Sequence, residues 1–396
     1  MTDFSVENPK FDVLVVGAGL VGSSFALALG ATGLTVALVE PYPPAPVPED
    51  RGWDSRVYAV SPGNAAWLAQ LGVWEALPQD RLTHIEHMHV FGDRGGARLE
   101  FSAYEAGLRE LAWIAENRLL QAALWGALQA SAHVTLVHGQ RPAELSWEQR
   151  FALLSLEDGS EITASLVVAA DGADSWVRER SGITCAVYDY RETGVVANFS
   201  SARRHGAAAY QWFRSDGVLA LLPLPGDRVS MVWSAPERHA QALLRMPATQ
   251  LAREVEAASS GALGALAMIT APAAFPLRRQ RVERLVQPRL ALIGDAAHNV
   301  HPLAGQGVNL GFRDARELAA VLASRGPQHD CGNYDLLRRY ERARREDITA
   351  LELTTDGLEK LFSSRRVFLA GLRNIGLSLL DRQLPLKNAL IRHAAA

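Results

Sequence analysis

At 396 residues the chain is longer than a single hydrophobic core usually spans, so two intergrown domains are expected. A hydrophobic fraction of 48% and a charged fraction of 21% belong to a globular protein, and no apolar run approaches the roughly 18 residues that suggest a membrane-crossing helix. The 40 basic and 43 acidic residues leave a formal charge of -3, which gives no global attraction for nucleic acid. The only cysteines, Cys185 and Cys331, are too few for a disulfide framework or a thiolate metal site; they suggest a reducing compartment, and no metal is expected. The N-terminal stretch carries acidic residues before an apolar run that ends in glycines, so it reads as no export signal, and a cytoplasmic location is expected.

In chain order, FDVLVV (residues 11–16) is a short run of the kind that forms a buried parallel strand. GAGLVG follows, then a helical stretch, then LTVALVE (residues 34–40) as a second buried strand, which together make one βαβ unit. The proline-rich PYPPAPVPED (residues 41–50) reads as an extended loop. The second half of WDSRVYAVSPGNAAWLAQLGVW reads as helix, as does LAWIAENRLLQAALWGALQA (residues 111–130). HVTLVHG, RFALLSLEDG and EITASLVVAADG are strand candidates. From about Thr184 to Leu277 the pattern turns alternating and aromatic, with YQWFRSDGVLALLPLPGDRVSMVWSA read as two antiparallel strands joined at PGD. RLALIGDAAHNVHP returns to the buried-strand pattern, GVNLGFRDARELAAVLAS opens a helix, and the chain beyond Asn333 reads helical and arginine-rich. Strands of the first domain therefore lie on both sides of an inserted sheet.

Three glycine-bearing turns carry the chemistry. GAGLVG matches the dinucleotide fingerprint: Gly17 makes the tight turn, Gly19 admits the pyrophosphate to the backbone, and Gly22 lets helix and strand pack. Leu20 and Val21 open the helix whose N-terminus would hold the phosphates, and Glu40, ending the second strand, sits where a carboxylate accepts ribose hydroxyls. This signals an ADP-containing cofactor without separating NAD from FAD. In GDAAHNVHPLAGQGVN (residues 294–309), Asp295 follows a buried strand and can hydrogen-bond a polyol, while the glycines let backbone N–H groups approach a planar ring. A flavin offers both a ribitol and such a ring. The plainer reading is a helix start preceded by a glycine-loosened loop.

Together GAGLVG, ADGADSWVR (residues 170–178) and GDAAHNVHPLAGQGVNLGFRD (residues 294–314) resemble, in order and spacing, the three signatures of the group A flavoprotein monooxygenases. Within that group, DSRVYAVSPGNAAWLAQLGVW, AENRLLQAALW, LALLPLPGDRVSMVWS and FPLRRQRVERLVQPRLALIGDAAH resemble the ubiquinone-biosynthesis hydroxylases, so the likeness covers most of the chain. The resemblance implies an α/β fold in the manner of p-hydroxybenzoate hydroxylase: a Rossmann-like FAD-binding domain, an inserted antiparallel β-sheet substrate domain and C-terminal helices. The expected division is residues 1–72, 111–183 and 278–332 for the FAD domain, 73–110 and 184–277 for the substrate domain, and 333–396 for the helical region. It assigns FAD as cofactor, NAD(P)H as electron donor and O2 as co-substrate. One oxygen atom would reach an activated aromatic ring through a flavin C4a-hydroperoxide, the substrate being a polyprenyl phenol such as a 2-polyprenyl-6-methoxyphenol.

By that resemblance Asp171 and Gly172 of the DG motif serve FAD and the nicotinamide donor, with Ser175 and Arg178 following. Gly294 and Asp295 bind the ribitol, and Pro302, Gly305, Gln306, Gly307, Val308 and Asn309 lie beside the isoalloxazine ring, where loop amides can stabilise developing charge. Arg56 is a matched flavin-site candidate, with a solvated surface arginine as the alternative. Many group A members carry arginine in the helix after the first crossover; alignment on Leu120 and Leu124 puts Asn117 there, between Glu116 and Arg118. No base for phenol activation stands out. His298 and His301 adjoin the GD motif and read equally as structural hydrogen-bonding residues or proton carriers. Tyr210, Trp212 and Phe213 read as sheet core, or as a set walling the substrate pocket.

The segment RRVFLAGLRNIGLSLLDRQLPLKNALIRH (residues 365–393) is basic and amphipathic, which fits a helical cap or contact with the inner face of an anionic membrane. A quinone-synthesis assembly is a further candidate partner. Against the hydroxylase stand a halogenase or prenyl reductase, disfavoured because no W-x-W-x-I-P run occurs; a hydroxylase of another aromatic compound; and an FAD-bound scaffold without turnover.

Overall fold

The computed structural model describes residues 9–48, 52–92, 98–299, 307–326 and 330–363, together with residues 388, 391, 392 and 395. The first strand, Phe11–Val16, is the centre of the structure: Val13, Leu14 and Val15 are wholly buried. It pairs in parallel with Val36–Glu40 on one side and Glu161–Ala169 on the other. Val134–His138 and Leu290–Leu292 extend this sheet in parallel on its two flanks. Strands buried on both faces need no polar alternation, which is why they read as continuous β-branched runs. Helix Leu20–Gly30 packs against helices Asn117–Ala130 and Gly307–Ala323, so segments far apart in the sequence meet over the first glycine turn.

The inserted sheet has nine strands in the order His298–Asn299, Ala273–Val282, Cys185–Ser201, Arg228–Pro236, Gly217–Leu224, Ala208–Arg214, His87–Phe91 and Arg98–Ser102, with Leu266–Met268 added to Cys185–Ser201. Its pairings are antiparallel except that of His87–Phe91 with Ala208–Arg214. One outer face is covered by helices Glu237–Arg245 and Ala248–Ala258, which share a core with Phe199, Met231 and Trp233. A three-stranded sheet of Val57–Val60, Ala112–Glu116 and Thr83–Ile85 lies against the opposite face.

Two expectations are corrected in detail. The stretch read as two strands is three, because Gly217, at φ +132°, closes an earlier hairpin between Ala208–Arg214 and Gly217–Leu224. A Cβ there would lie 2.0 Å from the Ser234 carbonyl oxygen, so only glycine fits. The helix read over residues 111–130 begins only at Asn117. Ala112–Glu116 is a strand, drawn into pairing by Val57–Val60 and Thr83–Ile85, a tertiary effect that helical spacing cannot register. The strand Ala273–Val282 runs unbroken across position 277/278, and the parallel sheet resumes at Leu290–Leu292. Beyond Asn333 the helix Tyr334–Ser363 follows. Of the basic C-terminal segment, Asn388 and Arg392 hydrogen-bond the carbonyls of Glu105 and Ala106. Among the described residues no helix is long and apolar enough to cross a membrane.

Candidate active site

The first glycine turn is shaped by what a side chain would strike. A Cβ on Gly17, held at φ +102°, would lie 2.5 Å from the Ala170 carbonyl oxygen, and one on Gly22 would lie 2.1 Å from that of Gly17. A Cβ on Gly19 would meet nothing within 4 Å, and this residue is exposed. Gly17 and Gly22 thus close the turn, while its open side is at Gly19. Helix Leu20–Gly30 starts there with no side-chain cap and no acid in its first turn, so its free N–H groups and positive dipole end face the opening. Such an end accepts a pyrophosphate. Glu40 stands beside it, accepting from the Ala18 amide at 2.7 Å and the Tyr42 amide at 2.9 Å. These bonds fix the carboxylate and leave lone pairs for hydroxyl groups. Gly22→Ala is expected to yield protein purified with little flavin, measured as the ratio of flavin to protein absorbance; a wild-type ratio would refute the close-packing argument.

The three motifs are locked to one another. Val21 fits over the GD motif: a Cβ on Gly294 would lie 3.2 Å from its methyl groups, and one on Gly311 only 2.5 Å away. In the DG motif Asp171 accepts from the Ser175 hydroxyl and from the Val177 amide at 3.0 Å, forming the turn into helix Trp176–Arg180. Burial pushes the Asp171 carboxyl up, against the opposing pull of these donors. Gly172, at φ +86°, provides the left-handed step. The buried Arg178 side chain donates to the carbonyls of Ala173 at 2.8 Å and Ala296 at 2.9 Å, pinning the DG turn to the GD turn.

Above this junction lies a crevice. Asp295 is reached by solvent although protein surrounds it on most sides, and desolvation there pushes its carboxyl up; His298 and Arg56 oppose the rise and Asp314 adds to it. Arg56 is exposed, with its guanidinium carbon 5.3 Å from the centre of the Tyr58 ring. Tyr58 joins the site unforeseen: burial raises its phenol above the ordinary value, against the charge of Arg56, so it stays a neutral hydroxyl. Asn117 starts its helix here, its amide donating to the Arg56 carbonyl at 3.0 Å. Arg56 is held from behind, since Asp54 accepts from the amides of Arg56 and Arg118, and the Asp54 amide donates to Glu116 at 2.7 Å. Arg81 grips the buried Glu116 with two hydrogen bonds of 2.8 Å. Glu116 is nonetheless pushed up by burial, which outweighs these donors.

Beneath the crevice is a buried charge cluster that sequence reading missed. Asp314 is fully buried; one oxygen bonds His298 Nε2 at 2.6 Å and the Gly294 amide at 3.0 Å, the other accepts from Arg344 Nε at 2.7 Å. Burial alone would raise Asp314 and lower His298, but their mutual attraction, with Arg344 also acting on Asp314, depresses the former and lifts the latter. His298 is only 3% exposed and its Nε2 is engaged by Asp314, which fits its structural reading. Asn309 is likewise internal: its side chain accepts from the Ser61 amide at 2.8 Å and donates to the Ala59 carbonyl at 2.8 Å, fastening the Arg56 segment to helix Gly307–Ala323. Gly307 and Val308 open that helix, while His301, Pro302, Gly305 and Gln306 lie outside the described residues.

The comparisons with known proteins agree with this geometry. Residues 10–355 match the family model described as FAD binding domain. The chain is 35% identical over 388 residues to the 3-demethoxyubiquinol 3-hydroxylase of Escherichia coli, covering 98% of this chain and 99% of that protein. It belongs to the ubiquinone-biosynthesis hydroxylases, a family of FAD-dependent aromatic monooxygenases. Ubiquinone hydroxylase UbiL of Rhodospirillum rubrum is 34% identical over 97% of this chain and 89% of its own, and the human mitochondrial ubiquinone biosynthesis monooxygenase COQ6 is 31% identical over 97% and 92%. In fold it is similar to PqsL, a probable FAD-dependent monooxygenase of Pseudomonas aeruginosa, with a TM-score of 0.76 at 24% identity over 93% of this chain and 99% of that one.

As a member of this family the chain is an FAD enzyme, and NAD(P)H and O2 are the donor and co-substrate typical of its class. Its own residues fit the cofactor: an open Gly19 at an uncapped helix end, a fixed Glu40, and Asp295 on the crevice floor.

One face of the inserted sheet is turned toward the parallel-sheet domain. Ala209, Leu222 and Leu224 on that face cluster with Val57, Ala59 and Ile114, and Asn198 Nδ2 donates to the Asp54 carbonyl at 2.8 Å. The three aromatics expected to wall the pocket do not share this face. Tyr210 and Trp212 stack at 5.8 Å on the opposite, helix-covered side, where Trp212 also stacks on Phe91. Only Phe213 points the other way, into a cluster with Val90 and Leu99. The period-2 alternation of a strand separates neighbours 212 and 213.

Proposed function

We propose that this protein hydroxylates the aromatic ring of a polyprenyl phenol intermediate of ubiquinone biosynthesis. The observation that carries the reading is the convergence of the three glycine motifs on one crevice, floored by Asp295 and adjoining the inner face of the inserted sheet. In this reading the amides at Gly19, Leu20 and Val21 bind the pyrophosphate, Glu40 the ribose and Asp295 the ribitol, while Asp171 and Gly172 shape the turn beside them. Reduced FAD supplies activation of O2 and transfer of one oxygen atom to the ring. The chain positions the phenol and keeps water out. Val196, Val232 and Leu222 on the inner sheet face give an apolar wall, with Phe275 lying over Gly194 at 2.7 Å from where a Cβ would stand. Tyr58, held neutral, is a hydroxyl donor at the crevice rather than a base. We place the enzyme in the cytoplasm at the inner face of the membrane, where a polyprenyl substrate resides.

The test is an extracted-quinone profile, by mass spectrometry, of a bacterial strain lacking its ring hydroxylases and expressing this chain. A hydroxylated polyprenyl phenol is expected, and the intermediate that disappears identifies the ring position. Loss of 2-polyprenyl-6-methoxyphenol marks the first reading. Loss of a demethoxyubiquinol marks the second, which the 35% identity to the E. coli 3-hydroxylase favours. An unchanged profile with FAD-loaded protein would overturn the proposal in favour of a soluble aromatic substrate or a scaffold.

A further inference from the structure

Where the nine-stranded sheet runs back to the parallel-sheet domain, one ribbon of it carries an exposed patch. Residues 185–189 run antiparallel to 278–282, with Ala186 opposite Arg281, Tyr188 opposite Arg279 and Asp189 opposite Arg278. Val187, on one face, is 54% exposed and Tyr188, on the other, 51%, although Gln280 opposite Val187 is buried. The Arg279 guanidinium carbon lies 5.4 Å from the centre of the Tyr188 ring, and the Tyr190 ring meets Tyr188 edge-on at 5.1 Å. Arg278 and Arg281 are exposed beside them. A single exposed apolar residue needs no explanation; tyrosines and a valine set among arginines on one patch do.

The ribbon leads into a cleft of about 340 Å³, lined by Val282, Leu285, Ala297 and Ile348, with the exposed Arg284 and Arg345 among its walls. Of the acids on this side, Asp189 stands opposite Arg278 and Glu283 is paired with Arg284 at 3.0 Å, the Glu283 carbonyl accepting from Arg345. Positive charge therefore predominates around an apolar opening. The same strand pairs Arg281 with His298 and Gln280 with Asn299, the residues that precede the flavin-ring stretch in sequence.

We propose that this ribbon docks on the surface of an anionic lipid bilayer. Tyrosines settle at the headgroup level and arginines meet lipid phosphates, which is the chemistry that the patch presents. Docking there turns the mouth of the cleft toward the bilayer. The use of the cleft by a lipid-soluble ligand rests on the polyprenyl substrate proposed above, whereas the docking does not.

The experiment is flotation of the FAD-loaded full chain with vesicles of phosphatidylcholine, alone or mixed with phosphatidylglycerol. Binding is expected only to the mixed vesicles and is expected to weaken as salt rises. The charge reversals Arg278→Glu and Arg281→Glu combined are expected to lower it by about 25-fold or more, at about fivefold per arginine. Flavin content and NAD(P)H oxidation should stay at wild-type values. If the double variant does not load flavin, Arg278→Gln and Arg281→Gln decide singly, each expected to bind about fivefold less. Absence of binding to the mixed vesicles, or unchanged binding by the variants, would overturn the proposal. An unchanged quinone profile with vesicle binding intact would refute the substrate reading alone.

Discussion

Asp314→Ala is expected to destabilise the protein by about 3–5 kcal/mol, measured by urea unfolding followed through tryptophan fluorescence. The size follows from what the substitution leaves behind. His298 and Arg344 would remain beneath the crevice without the carboxylate that both contact, and the Gly294 amide would lose its acceptor. Asp314→Asn keeps the shape and isolates the charge, and its pH dependence gives a sharper reading. In the wild type His298 is raised above 6.5, chiefly because Asp314 outweighs the effect of burial. Its contribution to stability is therefore complete below about pH 6.5 and is lost as pH rises through the raised value. Asp314 is depressed below 3.8, so its contribution is present above that pH and lost on acidification. With asparagine at 314, burial and Arg344 act on His298 against Asp295 alone, its pKa falls below the unfolded value, and stability is instead lost as pH drops below about 6.5. A variant whose stability still declined on the alkaline side would show that the His298–Asp314 pair is not the cause.

The features legible in the sequence were those fixed by local geometry. A glycine that only a tight turn tolerates, a carboxylate ending a buried strand and a run of β-branched residues each carry their reason within a few positions, and Gly17, Gly22, Glu40 and the parallel strands are placed accordingly. Features set by distant partners were not legible. Asp314 stands inside an ordinary amphipathic helix, and what makes it a buried anion is an arginine 30 positions later on another helix. Tyr58 is unremarkable in VYAV until Arg56 and Asp295 are brought beside it. The strand Ala112–Glu116 looks helical until Val57–Val60 pairs with it. Arg178 followed the DG motif in the sequence, but its role as the pin between two motifs depends on Ala296, 118 residues away. Tyr210 and Trp212 lie on one face of their strand and Phe213 on the other, an alternation that the sequence itself carries.

Asp295→Ala is expected to weaken FAD binding by about 10- to 100-fold, the worth of hydrogen bonds to a charged group, as measured by fluorescence titration of the apoprotein. The fold should not suffer. Asp295 is reached by solvent and, among the described residues, makes no hydrogen bond on which the core depends; the desolvation that raises its carboxyl means that its charge opposes folding at neutral pH. The sign is opposite to that of Asp314: a folded-state value raised above 3.8 lowers stability as pH rises past 3.8, so removing the group relieves the apoprotein. The variant should thus unfold at equal or higher urea concentration than wild type without flavin, and at lower concentration when both are supplied with it, because ligand binding stabilises only what it binds. A residue kept at a cost to the empty fold and repaid only on binding is what a ligand contact looks like in thermodynamic terms. If Asp295→Ala instead retained FAD as the wild type does and lost stability, its carboxylate would be a structural group and the floor of the crevice would have to be sought elsewhere.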